Sequence, residues 1–450
     1  MKIRTVKWKN HPILGDLLLD FVDTDSDQPY ETVIFAGENG TGKSTILEDL
    51  SSFLNLGSFK NFEYIEYVVK GAIFKALPSS AGHNVESFFD IEGPDGTIQQ
   101  ILRDKSNGRH DIEKNDTDLR SYGCVFSKAR ADYKTGTIKS TATSSLDKEK
   151  YNNDNEDDFT SLKQLIVDVE NQDNADYTEI NKSRNDAPQA WRDYYPNSKI
   201  YRFKNSFDTF FQGLAYDKVV NESGEKVIKF IKNGKAVSID KLSTGEKQIV
   251  FRGIFLLKNS GILQDSAIMI DEPELSMHPK WQEKILQYYK SLFTNVSGKQ
   301  TCQLFFATHS DHVLKHALAN QGRNIVVTLE HEGDKIVAKK IDAPAVLPSI
   351  TSAETNFLAF DLISNDYHIE LYGWLQDKTS KNTIKSCDTF ICDHNKYQAS
   401  HHEKVSHHGN TTYKSLPTYI RNAIHHPDSG NVFTQEELRT SIKLLIELCK

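Results

Sequence analysis

Residues 32–50 read TVIFAGENGTGKSTILEDL. A β-branched and aromatic run, Thr32 to Ala36, leads into Gly37-Glu38-Asn39-Gly40-Thr41-Gly42-Lys43-Ser44, after which Ile46, Leu47 and Leu50 recur at helical spacing. The pattern predicts a strand, a phosphate loop and a helix, with the G-x-x-x-x-G-K-[ST] spacing intact. Three glycines let the backbone curl so that successive N–H groups face phosphate oxygens, and the start of the helix adds the positive end of its dipole. The candidate nucleotide-binding residues are therefore Gly37, Glu38, Asn39, Gly40, Thr41, Gly42, Lys43, Ser44 and Thr45. Lys43 is expected to reach the β- and γ-phosphates and the Ser44 hydroxyl to ligate Mg2+.

Three later motifs narrow what the nucleotide is for. Leu242-Ser243-Thr244-Gly245-Glu246-Lys247-Gln248 precedes an apolar helical run, Ile249 to Leu257. Ser243 stands where an N-cap belongs and Gly245 admits an anion close to the backbone, so Ser243, Gly245 and Glu246 read as a second γ-phosphate receptor. One nucleotide is not easily gripped by both receptors of one chain, so this one is expected to serve a partner subunit. Next, Ala267-Ile268-Met269-Ile270 is an apolar strand that delivers Asp271 and Glu272 at its C-terminal end, where ligands bind in open α/β sheets. Asp271 is expected to hold the Mg2+ shell and Glu272 to act as general base toward the attacking water. Leu275-Ser276-Met277-His278-Pro279 would then bend the chain toward the neighbouring subunit. Finally, Leu304-Phe305-Phe306-Ala307 ends in Thr308-His309-Ser310, placing a neutral imidazole where it can sense the γ-phosphate.

The 450 residues suffice for two or three domains, and the formal net charge of −8 excludes a global basic field for nucleic acid. Nothing at the N-terminus resembles a signal peptide, and no apolar run reaches the ~18 residues of a bilayer span. The five cysteines are scattered and form no disulfide framework, so a soluble, cytoplasmic protein without a membrane partner is expected.

Four segments follow. Residues 1–130 read as the N-terminal part of an ATPase head, with strands over Ile3–Trp8, Leu17–Phe21, Phe62–Val69, Ser87–Ile91, Thr97–Leu102 and Tyr122–Phe126. Residues 131–198 read as an inserted arm: Thr135 to Asp158 is polar enough for a mobile surface excursion, and helical spacing returns at Leu162, Leu165, Ile166 and Val169. Residues 199–345 complete the head, with strands expected over Lys199–Phe203, Lys218–Val220 and Val227–Ile231, an aromatic helix over Phe207–Phe211, and a turn at Asn233-Gly234. Residues 346–450 read as mainly helical: Glu354–Gln376, Tyr413–His426 and Leu438–Leu448, the last opened by the capping-box pair Thr434 and Glu437. No heptad series of coiled-coil length separates the phosphate loop from residue 240.

With GENGTGKS, LSTGEKQ, IMIDEPE, LSMHP and ATHS in order, residues 1–60 and 240–330 resemble the nucleotide-binding domain of the ABC ATPase superfamily, and more widely the OLD- and SMC-like AAA ATPases. The resemblance implies an α/β fold, an ABC-type P-loop ATPase head with an inserted arm and a mostly helical C-terminal domain. It also implies ATP and Mg2+ as cofactors and a head-to-tail dimer or higher oligomer. One departure stands out: no glutamine marks the position where that family couples nucleotide to conformation, and Ser127-Lys128-Ala129-Arg130 lie there instead. Closer still, LSTGEKQIVFRGIFLL, DEPELSMHPKWQEKIL, Tyr201-Arg202-Phe203-Lys204 with its aromatic helix, and LPTYIRNAIHHPD are similar to the ATPase subunits of prokaryotic antiphage systems, Septu and its retron-associated relatives. That likeness implies a separate HNH-type nuclease that the ATPase cages or senses for, and a phage component or retron RNA/DNA as further partners.

An alternative rests on Arg421, Asn422 and His426, which match the R-N-x-x-x-H pattern of HEPN ribonucleases, found fused to ABC ATPases in anticodon nucleases that cleave tRNA. The competing reading is a helix C-terminus whose arginine and histidines pack, cap or contact a partner, since Pro427 disfavours helix at His426. Cys387, Cys392, His394, His401, His402, His407 and His408 crowd one polar stretch, either a solvated loop or a metal site of non-standard spacing.

Overall fold

Alternation builds the framework. The computed structural model describes every residue except 83–84, 155–158, 185–188, 296, 321, 323, 342–343 and 409–410. In chain order the first strands are β1 (Lys2–Trp8), β2 (Leu18–Asp20), β3 (Thr32–Gly37), β4 (Phe62–Val69), β5 (Ala72–Pro78), β6 (Phe89–Glu92), β7 (Ile98–Ile101), β8 (Cys124–Ser127) and β9 (Tyr151–Asn153). The later ones are β10 (Leu214–Glu222), β11 (Glu225–Lys232), β12 (Lys235–Ser238), β13 (Ala267–Asp271), β14 (Gln303–Ala307), β15 (Asn324–Glu332) and β16 (Lys335–Lys340), with a last hairpin of β17 (Glu403–His408) and β18 (Thr411–Ser415). An antiparallel sheet runs β2-β1-β4-β5-β6-β7, and the main sheet runs β16-β15-β3-β14-β13-β8-β9, parallel throughout except for β16.

A parallel sheet must be covered on both faces, and β3 shows how. Val33 and Phe35 point into a core shared with the antiparallel sheet and the helix Lys43–Leu54, which contributes Ile46, Leu47, Leu50 and Phe53. Ile34 and Ala36 point the other way, into a core with Leu162, Phe203, Phe207, Val250, Ile254 and Leu314 from four helices behind the sheet. A third core, built on Tyr367, Leu371, Ile391, Ile420, Ile442 and Leu445, holds the C-terminal helices together. The chain is thus α/β with a mostly helical C-terminal region.

Several sequence-based expectations are corrected. Lys199–Phe203 is not a strand but the start of a helix, Lys199–Phe210, because the Asp173 carboxylate accepts the N–H groups of Lys199 and Ile200 and caps it from a distant helix. The described part of the polar stretch after Thr135 is anchored rather than free: Ile138 is buried, Asp147 pairs with Arg202, and β9 adds to the main sheet; residues 155–158 of that stretch lie outside the described residues. The following helix, Phe159–Ser183, puts its first turns into the head core beside Val250 and Phe251. The long helix expected over Glu354–Gln376 is two, Ser352–Phe360 and Asn365–Thr379, broken where Asp361 turns left-handed (φ 53°). The helix expected from Tyr413 begins at Leu416, since Thr411–Ser415 pairs as β18 and Ser415 supplies the cap.

Candidate functional site

β3 is buried along its whole length and ends at Gly37, whose φ of 136° and close approach to the Leu329 carbonyl leave no room for a side chain; an added Cβ would stand 2.4 Å from that oxygen. Gly40 and Gly42 are left-handed as well. The helix Lys43–Leu54 opens with no side-chain cap and no acidic residue in its first turn, so its first N–H groups remain available to an anion. Lys43 is buried, and its ammonium donates to the carbonyls of Gly37 (2.9 Å) and Glu38 (2.8 Å). Burial pulls this ammonium down to about 8 against the opposing pull of Asp271, Glu272 and Glu274.

Those carboxylates arrive together at the end of one parallel strand, β13, and in the turn that follows it. β13 pairs with β14 so that Asp271 stands opposite Ala307, and β14 pairs with β3 so that Ala307 stands opposite Phe35. The C-terminal ends of all three strands therefore meet at the phosphate loop. Asp271 is buried, which raises its carboxyl, while the neighbouring Ser44 hydroxyl and Arg252 pull the other way. Its Oδ1 has no hydrogen-bond partner among the described residues. An unpartnered buried carboxylate oxygen beside a serine hydroxyl fits Mg2+, which takes one or two protein ligands and completes its shell with phosphates and water. Among the described residues no group of three His, Cys, Asp or Glu side chains could hold a metal unaided.

Glu272 adopts a left-handed backbone, φ 42°. Such a conformation costs about 1–2 kcal/mol in a non-glycine residue, and here hydrogen bonds hold it: its N–H donates to the Ala307 carbonyl (2.9 Å) and its carbonyl accepts from Arg252 (3.1 Å). Two residues on, Glu274 is buried and accepts both the Thr308 hydroxyl (2.7 Å) and the His309 N–H (2.9 Å), locking β14's end to β13's. His309 shares a cleft with Gly37, Glu38 and Asn39, and desolvation together with Lys43 lowers its imidazole, which keeps it neutral near pH 7. The turn that follows β1 also reaches the loop: a Cβ on Gly42 would meet Leu14, and Ile13 beside it stays half exposed, an apolar surface suited to a base.

The serine-glycine motif opens the helix Thr244–Leu257. Ser243 is exposed and caps the helix Thr244–Leu257 in a full capping box. Glu246 is buried and occupied, accepting the Ser243 N–H (2.8 Å) and hydroxyl (2.9 Å) and pairing with Lys232, so it orients Ser243 rather than facing a ligand. Gly245 packs under the Ser276 carbonyl, where a Cβ would stand 2.7 Å away. None of the three lines the cleft that holds Gly37 and His309.

At the C-terminus, Arg421 donates to the Asn422 side chain (3.2 Å), Asn422 is buried, and His426 lies exposed beyond the helix end. Cys387 and Cys392 belong to the helix Ile384–Asp393, with Cys387 buried in the third core and its thiol pushed up to about 11 by burial, so the Cys/His crowd is not one loop. The side chain of His408 lies outside the described residues.

Sequence reasoning passed over Arg252, Glu274 and Asn356. Arg252 is an arginine inside the apolar run IVFRGIFLL, and a charge in such a run is itself a signal; fully buried, it ties the helix Thr244–Leu257 to the carbonyls of Glu272 and Lys128. Lys128 follows β8 at the position where no coupling glutamine stands.

Fold and motif order together define an α/β P-loop head. Residues 33–315 match the family described as "AAA domain, putative AbiEii toxin, Type IV TA system", and the chain belongs to that family. The retron Vc95 probable ATPase of Vibrio cholerae serotype O1 biovar El Tor is 34% identical over 100 residues, covering 20% of this chain and 18% of that one. The retron Ec83 probable ATPase of Escherichia coli is 28% identical over 157 residues, 33% of this chain and 27% of that one. The chain thus matches less than a third of the length of either relative. Among solved structures, an SMC head bound to the C-terminal winged-helix domain of ScpA aligns with 76% of this chain and 99% of its own at 12% identity, TM-score 0.41. An SMC head domain from Thermotoga maritima aligns at 13% identity over 76% of this chain and 99% of its own, TM-score 0.36. No helix among the described residues is long and apolar enough to cross a membrane.

Proposed function

We propose that this chain binds and hydrolyses ATP between two heads packed head to tail, and that the cycle gates a separate nuclease in antiphage defence. The observation that carries the hydrolytic reading is the convergence of Lys43, Asp271, Glu272 and His309 at the ends of three adjacent parallel strands. Lys43 exchanges its two loop carbonyls for phosphate oxygens. Ser44 and Asp271 would hold Mg2+, which when bound neutralises charge on the phosphates. Glu272 orients water in line with the γ-phosphate and accepts its proton, and the neutral imidazole of His309 donates a hydrogen bond to a γ-phosphate oxygen. Ser243 and Gly245 come from the partner head, since one nucleotide is not easily gripped by both receptors of one chain.

The defence role is supported by the likeness to the retron ATPases and by the Septu-like motifs around residues 201–204 and 416–428. A Septu-type partner, an HNH nuclease, is the finer form of this reading. Glu272→Gln tests the core of it: ATP should bind as before while turnover falls by about 10²–10⁴-fold, and undiminished turnover would remove Glu272 from the base role. Isolation from the native operon, followed by native mass spectrometry, should show an even number of these chains with a smaller nuclease; a homo-oligomer alone would argue against the gating model.

A further inference from the structure

The helix Ser352–Phe360 belongs to two cores at once. Leu358, Ala359 and Phe360 pack into the head core with Ile350, while Ala353 and Phe357 pack into the C-terminal core, where the Phe357 ring lies 5.1 Å from that of Tyr367. Both of its ends are fastened. Thr351 caps it, and fully buried Glu354 accepts the Ala345 N–H and the Tyr367 hydroxyl (2.9 and 3.4 Å). At the other end Asp361, left-handed, is gripped by Arg439 of the last helix, Gln435–Cys449.

The same helix looks onto the phosphate loop. Asn356, Phe360 and Leu362 form the wall that faces Gly37, Asn39 and His309 across the cleft, and Leu362 is 56% exposed there. On the other side of the loop a second cleft sets Glu38 and Thr41 against Phe357, Asp361 and Arg439. Close-packed cores do not absorb a displaced wall by local softening; an element fixed in two of them moves as a body.

We propose that the helix Ser352–Phe360 is a lever within one chain: the nucleoside triphosphate in the cleft is met by Asn356 and the Phe360–Leu362 corner, and the displacement passes into the C-terminal helices through Phe357–Tyr367 and Asp361–Arg439. This rests on the ATP-binding reading above. It also makes the C-terminal helices the output face, and reciprocity requires that whatever binds them changes the affinity for ATP by the same factor.

Hydrogen exchange on the full chain tests it, with no nucleotide, with Mg-ADP and with Mg-ATP, at matched oligomeric state followed by light scattering. Residues 37–45 report occupancy; residues 352–379 and 435–449 report the lever. ATP should slow exchange in all three by at least roughly threefold, with ADP confined to the first. Arg439→Ala, a change at an exposed ion pair, should leave protection of 37–45 intact and weaken the response of 435–449, the Phe357–Tyr367 contact remaining. Protection of 37–45 with none beyond residue 352, or an unchanged response in Arg439→Ala, overturns the lever while sparing the ATP site. Absence of protection at 37–45 overturns the ATP reading, and the lever with it.

Discussion

Lys43 carries a consequence that can be titrated. Its ammonium is depressed to about 8 by burial, so above that pH the empty loop holds a neutral amine. Phosphate oxygens favour the charged form, so binding must take up a proton above pH 8, and ATP affinity should fall as pH rises from 8 to 10, approaching tenfold per unit. Dissociation constants measured across that range check the slope, and Lys43→Arg should flatten it because guanidinium stays charged. An affinity level to pH 10 would mean that the phosphates do not meet this ammonium. Glu274 is a positioning residue by the same logic of partners: its carboxylate holds the Thr308 hydroxyl and the His309 N–H. Glu274→Gln retains an acceptor and should keep turnover within about threefold, whereas Glu274→Ala leaves two donors unpaired and should lower kcat roughly 5- to 150-fold, a barrier increase of about 1–3 kcal/mol, with KM little changed. Equal losses in both variants would point to the charge itself.

Between elements, Arg252 is the tie that couples the serine-bearing helix to the hydrolytic strand. Arg252→Met keeps the bulk but orphans the carbonyls of Glu272 and Lys128, and a loss of about 3 kcal/mol is expected in denaturant unfolding. Turnover should fall further than stability explains, because the left-handed Glu272 loses one of its two anchors. β3, β13 and β14 were legible because each is a short apolar run ending in chemistry-bearing residues. The helix Lys199–Phe210 was not, since Ile200-Tyr201-Arg202-Phe203 alternates like a strand and the cap that decides for helix comes from Asp173 on another element. β15 and β16 went unread although Val326, Val327 and the turn at Gly333 were local signals. The phosphate loop, the acidic pair and His309 could be seen as motifs, but their meeting point depends on the strand order β3-β14-β13, which no local pattern encodes. Glu274 and Arg252 stayed hidden for that reason: what they hold is distant in sequence.

At the scale of the whole molecule, the sequence has one phosphate loop and one serine-glycine motif, and Ser243 is exposed at the start of the helix Thr244–Leu257. Glu246 uses its buried charge to fix Ser243 outward, and Gly245 is pressed against Ser276 of the segment that follows the acidic strand, so the motif is pre-shaped. A serine held outward at the start of a helix makes sense if the phosphate is brought by a second copy, and symmetry then gives two equivalent sites in one closed dimer. ATP should therefore drive pairing and its hydrolysis should undo it. With Mg-ATP, Glu272→Gln should run at twice the monomer mass in light scattering, the native chain should do so only transiently, and Ser243→Arg should remain monomeric while still binding ATP at Lys43. Adding equal amounts of Ser243→Arg and Lys43→Ala chains should restore one composite site and about half the turnover of the native dimer. A Ser243→Arg chain that pairs and turns over normally would mean that the helix Thr244–Leu257 serves its own head and that the ATP site is complete within a single chain.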